Sequence, residues 1–455
     1  MLKESIDVHK ELADARVGPM HIRLGVLLAL LTMFDGYDTF NPAYVIHYVH
    51  GPWGLSLQQA GMLVSSGLVG FLVGAAVHGA VADRLGRRVT LIGGLWITTI
   101  FSLLTALLAD SFASFCTLRV LTGLGLGVLL PLSTTYINEL APRRVANTFA
   151  LWGVALGWAM GGAAAGLVGV FLTPHTGWQG LYWVGSLSVI LLPFLHLYLP
   201  ESPKFSLIRG CDEDVKSVLA KLRPERADTY RDCSVLRASV TQRASVFSLL
   251  ARPWRQLSLS IWATSFLSLF CIFGLSAWIP TLMQARGESF SASFAFGALM
   301  QMMSFVGGLV CGYLVDRTGR TRMWLCVWSL GGATAMLCLV FFHQHWINLL
   351  CSAVAGFCII GGQFVLNNFT ATSYETEMRA TAVGMELAVG RLGAILGPFI
   401  GGALQQIFDG GNSVLIAMGV AAAGGALCIL LAQKKSCRFE IQPAKKPSAA
   451  GTAQG

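Results

Sequence analysis

Charged residues are scarce in this sequence. They make up 12% of its 455 residues, whereas 54% are hydrophobic, and the mean hydropathy is +0.63. Because a soluble protein carries about 25% charged residues, this composition excludes a water-soluble globular domain. It favours a protein whose surface lies in lipid.

The signatures of several function classes are also lacking. The 11 cysteines include no C-x-x-C pair, and we interpret them as small buried apolar residues rather than as disulfide partners or metal ligands. The sequence has no glycine loop that would cradle a phosphate, no cluster of metal ligands and no nucleophile cluster. We therefore expect no enzyme, no ATP-driven pump, no cofactor and no metal. Residues 1–23 mix acids and bases, so we expect no cleavable signal peptide.

The chain does contain apolar blocks of about 20 residues, the length that crosses a bilayer as a helix. Each block is too long for a barrel strand. The pattern predicts an all-α membrane protein with twelve transmembrane helices. The blocks cover approximately 24–49, 59–82, 89–109, 112–138, 147–172, 178–199, 257–284, 291–315, 323–342, 346–372, 380–407 and 412–432.

Basic residues are concentrated in the segments that a cytoplasmic N-terminus would place inside the cell. The only Lys or Arg residues outside those segments are Arg119, Arg286 and Arg391. This bias predicts that both termini are cytoplasmic. It also accounts for the net charge of +9, so we expect the lipid bilayer rather than nucleic acid as the partner of this chain.

The longest polar stretch, 200–256, divides the chain into two six-helix bundles, 24–199 and 257–432. Its alternating charges predict short amphipathic helices on the cytoplasmic surface. Residues 1–23 are expected to form a cytoplasmic N-terminal segment. Residues 433–455, rich in Lys, Pro, Ala and Gly, are expected to form a disordered cytoplasmic tail.

The two halves repeat one motif. The pattern G-x-x-x-D-R-x-G-R begins at Gly79 after the second block and at Gly312 after the eighth, an offset of 233 residues. Internal duplication in a twelve-helix protein predicts a binding site between the halves near the membrane midplane, with alternating access by rocking.

This arrangement resembles the major facilitator superfamily, with two pseudo-symmetric six-helix bundles. Three further motifs narrow the resemblance. They are Asp35-Gly-Tyr-Asp38 in the first block, Pro200-Glu-Ser-Pro-Lys204 after the sixth, and Gly390-Arg391-Leu-Gly393 followed by Gly397-Pro398 in the eleventh. Together they resemble the aromatic acid:proton symporters, which import benzoate-like anions across the bacterial inner membrane. The resemblance implies an organic anion and a proton as partners and the inner membrane as the location.

Asp35 and Asp38 lie within the first block, three residues apart and therefore on one face of a helix. An ionised carboxylate at the bilayer centre costs about 3 kcal/mol on insertion scales. We predict that the pair takes up and releases protons as a coupled unit. The alternative is that salt bridges or hydrogen bonds of this pair brace the first helix.

Arg391 lies roughly 18 Å along its helix, close to mid-membrane. Its planar guanidinium fits a carboxylate bidentately, so we predict that it binds the substrate carboxylate. The alternative is an internal partner, either Glu386 or the acids of the first helix. Further candidate substrate contacts are aromatic or amide side chains at membrane depth: Tyr37, Phe40, Tyr44, Trp278, Gln363, Asn367 and Asn368.

Two other intramembrane charges have open roles. Glu386 adds a carboxylate where the resembled family usually has an uncharged residue, and it either lines the inner gate or binds a second proton. Arg119 either packs and pairs internally or contacts substrate. Salt bridges of a cytoplasmic gate, or charges that only set topology, are predicted for Asp83, Arg84, Arg87, Arg88, Glu139, Arg144, Asp316, Arg317, Arg320, Glu377 and Arg379.

The sequence thus predicts a proton-coupled symporter, expected to be monomeric, that imports a benzoate-type aromatic carboxylate. One alternative is a carrier of nicotinate, muconate, sialic acid or a sugar-derived acid on the same scaffold. A second is a proton-coupled drug exporter, although its usual Gly-Pro pair in the fifth helix is absent. A third is a sensor, which the lack of a signalling domain in 200–256 disfavours.

Overall fold

The computed structural model describes residues 5–142, 144–145, 149, 154–236, 245–408 and 410–433. The predicted tail therefore lies outside the described residues, apart from Gln433, and so does the start of the fifth apolar block. Within the described part of the chain, eleven helices are long and apolar enough to cross a membrane, and a shorter apolar helix, Leu156–Phe171, stands where the fifth block was expected. Helices suit this setting because lipid offers no partners to backbone N–H and C=O groups.

The membrane helices, numbered in chain order, are α1 (Pro19–Val49), α2 (Leu57–Leu85), α3 (Arg87–Leu108), α4 (Phe112–Leu140), α5 (Leu156–Phe171), α6 (Gln179–Tyr198), α7 (Arg255–Ala285), α8 (Phe290–Thr318), α9 (Thr321–Phe341), α10 (His345–Ser373), α11 (Thr376–Phe408) and α12 (Asn412–Leu431). Helix α1 begins earlier than predicted, because Pro19 suits a first helical position. It is interrupted at Asn41, directly before Pro42. Helix α6 contains a 3₁₀ turn over Leu187–Ile190 and α10 a π-helical turn over Gly356–Ile360.

The two halves of the bundle pack together through α2 with α11, α5 with α8, and α1 with α7. Ser65 Oγ of α2 donates to the carbonyl of Ile395 in α11 at 2.7 Å. Gly166 of α5 leaves room for Ala298 of α8. These contacts lie toward the helix ends that are opposite to the chain termini. The bundle is therefore closed at that end.

Glycines occupy positions that only a residue without a side chain tolerates. In both copies of the repeated motif the second glycine has a positive φ, 99° at Gly86 and 65° at Gly319, a region that L side chains rarely adopt. The repeated glycine thus ends α2 and α8. In α4, a Cβ on Gly123 would collide with the Gly67 carbonyl of α2, so this glycine allows α2 and α4 to pack closely.

The linker 200–256 carries short helices over Pro203–Arg209, Asp212–Leu222, Ala227–Asp232 and Val246–Leu249. The N-terminal segment is bound to it, which the sequence analysis did not predict. Strand β1 (Ser5–Ile6) pairs in parallel with β2 (Ser234–Val235). Glu11 forms an ion pair with Arg223 at 2.6 Å and accepts the Tyr230 hydroxyl at 2.8 Å. Burial and the Glu11 carboxylate raise the pKa of Tyr230.

Candidate functional site

Asp38 is held in a polar pocket of the N-terminal half. Its Oδ1 accepts hydrogen bonds from Asn41 Nδ2 at 3.0 Å and from Ser102 Oγ of α3 at 3.2 Å. Because Pro42 has no N–H, it cannot bond to the main-chain carbonyl of Asp38, four residues earlier. Arg119 of α4 takes that place, since its Nη2 donates to this carbonyl at 2.7 Å. Asp38 and Arg119 are thus a buried pair of opposite charges.

Asp35 has a different environment. It is fully buried, and neither of its carboxylate oxygens has a hydrogen-bond partner. The positive charge that acts on it is Arg391 of α11. Arg391 is itself 8% exposed, and its Nη1 is buried without a partner. Asp35 and Arg391, an acid and a base from the two halves, are thus opposite charges that act on each other, and polar atoms of both are buried without a hydrogen-bond partner.

Aromatic rings from both halves lie beside the Arg391 guanidinium. The Arg391 guanidinium lies 3.8 Å from the ring centroid of Phe71 in α2 and 5.7 Å from that of Phe273 in α7. Phe273 stacks on Phe40 of α1 with centroids 5.6 Å apart, and Trp158 of α5 meets Phe40 edge-on at 4.9 Å. The centre of the bundle thus offers flat apolar surfaces beside a buried guanidinium, an arrangement that suits a planar ring carrying a carboxylate.

We call the rings of Phe40, Phe71, Trp158 and Phe273 the central layer. Of the aromatic residues predicted to contact substrate, only Phe40 belongs to it. The Tyr37 hydroxyl donates to the carbonyl of Leu181 in α6 at 2.8 Å. Tyr44 packs on Phe294 at the α5–α8 contact, with ring centroids 4.8 Å apart. Trp278 Nε1 donates to the carbonyl of Pro398 at 3.0 Å. In this conformation these three side chains hold helices together.

Glu386 forms a second polar cluster, between α7, α10 and α11. Its Oε1 accepts from Ser265 Oγ at 3.0 Å and from Gln363 Nε2 at 3.1 Å. Asn367, one helical turn from Gln363, also reaches this carboxylate. Asn368 is exposed and does not join the cluster. Two of the three amides predicted to bind substrate, Gln363 and Asn367, thus surround Glu386 in this conformation, and their contact with substrate stays a prediction.

Three of the predicted gate residues of the N-terminal half, Arg87, Arg88 and Glu139, belong to a network at the end of the bundle that holds the termini. Arg87 Nη2 pairs with Glu139 Oε1 at 3.2 Å, and Ser202 Oγ donates to the other Glu139 oxygen at 2.5 Å. Glu201 Oε1 accepts the main-chain N–H groups of Arg87 at 2.9 Å and Arg88 at 3.2 Å. The remaining gate candidates are exposed: Asp83, Arg84, Arg144, Asp316, Arg317, Arg320, Glu377 and Arg379. Their gating role stays a prediction.

Sequence reasoning missed three members of the central layer, Phe71, Trp158 and Phe273, as well as the role of Glu201. One signal for Phe273 was available, because the 233-residue offset of the repeated motif relates Phe40 to Phe273. Phe71 and Trp158 lie in helices with many apolar residues, so nothing in their local sequence marks them.

Comparison with known proteins settles the family. The sequence profile of the Major Facilitator Superfamily matches residues 26–331 and 300–452. This chain belongs to that superfamily. A gallate transporter of Pseudomonas putida is 32% identical over 427 residues, 93% of this chain and 94% of that protein. The 4-hydroxybenzoate transporter PcaK of Pseudomonas aeruginosa is 31% identical over 433 residues, 94% and 96% of the two chains.

The fold agrees with a solved superfamily structure. The partially occluded inward-open xylose transporter XylE of E. coli superposes with a TM-score of 0.73 at 18% identity, covering 90% of this chain and 97% of XylE. The all-helical major facilitator fold predicted from the sequence is therefore confirmed. As a member of the superfamily, this protein is a multi-pass membrane protein and a secondary transporter of small organic substrates rather than an enzyme. Both relatives named above are transporters of aromatic acids, the group that the sequence motifs predicted.

Proposed function

We propose that this superfamily member imports an aromatic carboxylate together with protons. The observation that carries the proposal is the burial of Asp35 and Arg391 with unpartnered polar atoms, together with the aromatic rings beside the Arg391 guanidinium. The substrate carboxylate would bind the Arg391 guanidinium, and its ring would lie against Phe40 and Phe273. The names of the two relatives, which specify gallate and 4-hydroxybenzoate, support this substrate class.

Coupling follows from the charges of this pair. Without substrate, Arg391 is the positive charge that acts on Asp35, and it lowers the cost of ionising this buried carboxyl. A bound substrate carboxylate pairs with Arg391, so that an ionised Asp35 becomes an uncompensated buried anion. This is costly unless a proton neutralises Asp35. Substrate and proton therefore favour each other's binding, which is the thermodynamic requirement for symport.

Asp38 has a different role in this proposal. Its carboxylate accepts two hydrogen bonds, and Arg119 lies beside it. These contacts tie the Asp38 side chain to Asn41 and to Ser102 of α3, so Asp38 serves chiefly to hold Arg119 and the interruption of α1 in place. Asp35, which has no such partners, is the proton carrier of the pair.

The proposed topology places both termini in the cytoplasm of a bacterial inner membrane, on the support of the distribution of Lys and Arg. The end closed by α2–α11 and α5–α8 contacts would then be the outer end. Rocking of the two halves would open it, while the charged residues of the inner loops would close the cytoplasmic side. C-terminal fusions to alkaline phosphatase and green fluorescent protein would test this orientation, since only the latter should be active.

Uptake into proteoliposomes tests the function. With an outside-acid pH gradient, labelled 4-hydroxybenzoate should accumulate, and its entry should make a weakly buffered outer medium more alkaline. Collapsing the pH gradient with an ionophore should abolish accumulation. Accumulation that survives this treatment, or entry with no alkalinisation, would refute proton symport for this substrate.

A panel of competitors tests the substrate class. Benzoate, gallate and nicotinate present a ring and a carboxylate, whereas cyclohexanecarboxylate keeps the charge and loses the flat π-surface. We expect the aromatic acids to inhibit uptake more strongly than the saturated ring, because stacking on Phe40 and Phe273 requires a planar face. Equal inhibition would contradict the aromatic site, and drug efflux without acid uptake would support the exporter alternative.

A further inference from the structure

Glu386 is a buried carboxyl that the coupling between Asp35 and Arg391 does not use. It is fully buried, and its Oε2 has no hydrogen-bond partner. Among the described residues, no Lys, Arg or His forms an ion pair with it; its surroundings act on it through burial and through the side chains of Ser265, Thr370 and Gln363. A buried anion whose neighbours are all neutral is costly in a medium of low dielectric.

The amides around Glu386 suit both of its protonation states. Gln363 Nε2 donates to the carboxylate, while Gln363 Oε1 is buried without a partner. Turning this amide by half a rotation would present the oxygen, which could accept from a protonated Glu386. Asn367 has the same choice: in one orientation its oxygen accepts from Gln363 at 2.7 Å, and in the other its nitrogen lies 3.0 Å from Glu386 Oε1.

The ionisable groups around this cluster are few. Directly after α10, Tyr374 interacts electrostatically with Glu386, and its hydroxyl forms a 2.8 Å hydrogen bond with Ser258 of α7. Helix α7 presents the neutral Ser265 to the carboxyl. On α11 itself, Arg391 is five residues further along, and its guanidinium lies over Phe71 and Phe273. The charge of Glu386 is therefore independent of the central pair.

We propose that Glu386, with Ser265, Gln363 and Asn367, is a second proton-binding site that is loaded and emptied in each transport cycle. This inference rests on the proposed symport. Asp35 carries one proton and Glu386 another, so that two protons enter with one monovalent anion. The cycle then moves one net positive charge inward, and the membrane potential drives uptake in addition to the pH gradient.

The experiment uses the full-length protein in proteoliposomes with equal pH on both sides. Valinomycin and a potassium gradient set an inside-negative potential, and labelled 4-hydroxybenzoate is the probe. The wild type should accumulate it, with an equilibrium accumulation that rises about tenfold per about 60 mV, from 2.3 kcal/mol per charge per 100 mV and 1.4 kcal/mol per tenfold. Glu386→Gln should lose potential-driven accumulation and keep accumulation driven by the pH gradient.

The matched control is Glu288→Gln, the same substitution at a carboxylate in the loop between α7 and α8, where it pairs with His345, and it should behave as the wild type. Potential-independent uptake by the wild type, or potential-driven uptake by Glu386→Gln, would overturn the second site while leaving symport intact. Wild-type protein that responds to neither gradient would instead refute the proposed function. If Glu386→Gln does not fold, the reversal potential of the wild type decides between two protons per anion and one.

Discussion

Replacing Arg391 by alanine should separate recognition of the carboxylate from recognition of the ring. The guanidinium is 8% exposed, so the substrate would meet it with little competition from water. Hydrogen bonds to charged groups contribute about 1.5–3 kcal/mol. At 1.4 kcal/mol per tenfold, loss of even one such bond should weaken the binding of the acid by about ten- to 150-fold.

The assay is equilibrium binding of two ligands to purified protein by titration calorimetry. The first is 4-hydroxybenzoate and the second is 4-hydroxybenzamide, which keeps the ring and lacks the negative charge. Arg391→Ala should strongly weaken the binding of the acid and should change the binding of the amide little. Arg391→Lys should give an intermediate loss, because an ammonium keeps the charge but not the planar fork.

Two controls guard this experiment. Arg391→Ala deprives Asp35 of the positive charge that acts on it, so the double variant Asp35→Asn/Arg391→Ala, which removes both charges, should unfold at a temperature close to that of the wild type. Arg286→Ala changes an arginine in the loop between α7 and α8 and should leave both affinities unchanged. If the affinity for acid and amide fell equally, or if the affinity for the acid did not change, Arg391 would not be the residue that binds the carboxylate.

Further predictions concern the coupling acid, the buried charge pair, the inner loop and the aromatic layer. Asp35→Asn, which leaves Glu386 as the remaining proton site, should retain exchange of labelled for unlabelled substrate and lose accumulation driven by the membrane potential; retained potential-driven accumulation would exclude Asp35 as a proton carrier. Asp38→Asn should destabilise the protein by about 3–5 kcal/mol, because it leaves Arg119 buried beside a neutral side chain, and thermal unfolding measures this. Glu201→Ala should lower the free energy of unfolding by about 0.5–2 kcal/mol, as loss of a helix cap does. It should also slow transport turnover more than it weakens substrate binding. In competition binding, Phe273→Leu should reduce the affinity for the aromatic acid more than the affinity for its cyclohexane analogue.

The positions of the membrane helices could be predicted from the sequence because lipid imposes a simple rule on composition. A span must be long and apolar, so Asp35 and Asp38 stand out as exceptions, and their burial follows from the predicted span. The distribution of Lys and Arg predicts orientation for a similar reason. The predicted helix ends were less accurate. The start of α1, for example, depends on one residue, Pro19.

The arrangement of the site was harder to predict because it depends on contacts between distant segments. Nothing near Glu201 in the sequence indicates that its carboxylate accepts the first N–H groups of α3, which begins 114 residues earlier. The two-residue strands Ser5–Ile6 and Ser234–Val235 are too short to give a recognisable pattern. Arg119 is a partial exception, because Pro42 frees the carbonyl that it binds, although the sequence does not say which donor fills it.

The buried charges at membrane depth show why the number of protons is a structural question. Asp38 has Arg119 as its opposite charge within the same half, and the hydrogen bond from Arg119 to the Asp38 main-chain carbonyl does not cross the interface between the halves. Asp35 is compensated by Arg391 only while no substrate occupies the guanidinium, and this pair bridges the two halves. The side chains that act on Glu386 are those of the neutral Ser265, Thr370 and Gln363. Since an occluded bundle cannot hold uncompensated anions cheaply, the protons carried with each anion should equal the carboxylates that lack a cation when substrate is bound, which here are Asp35 and Glu386.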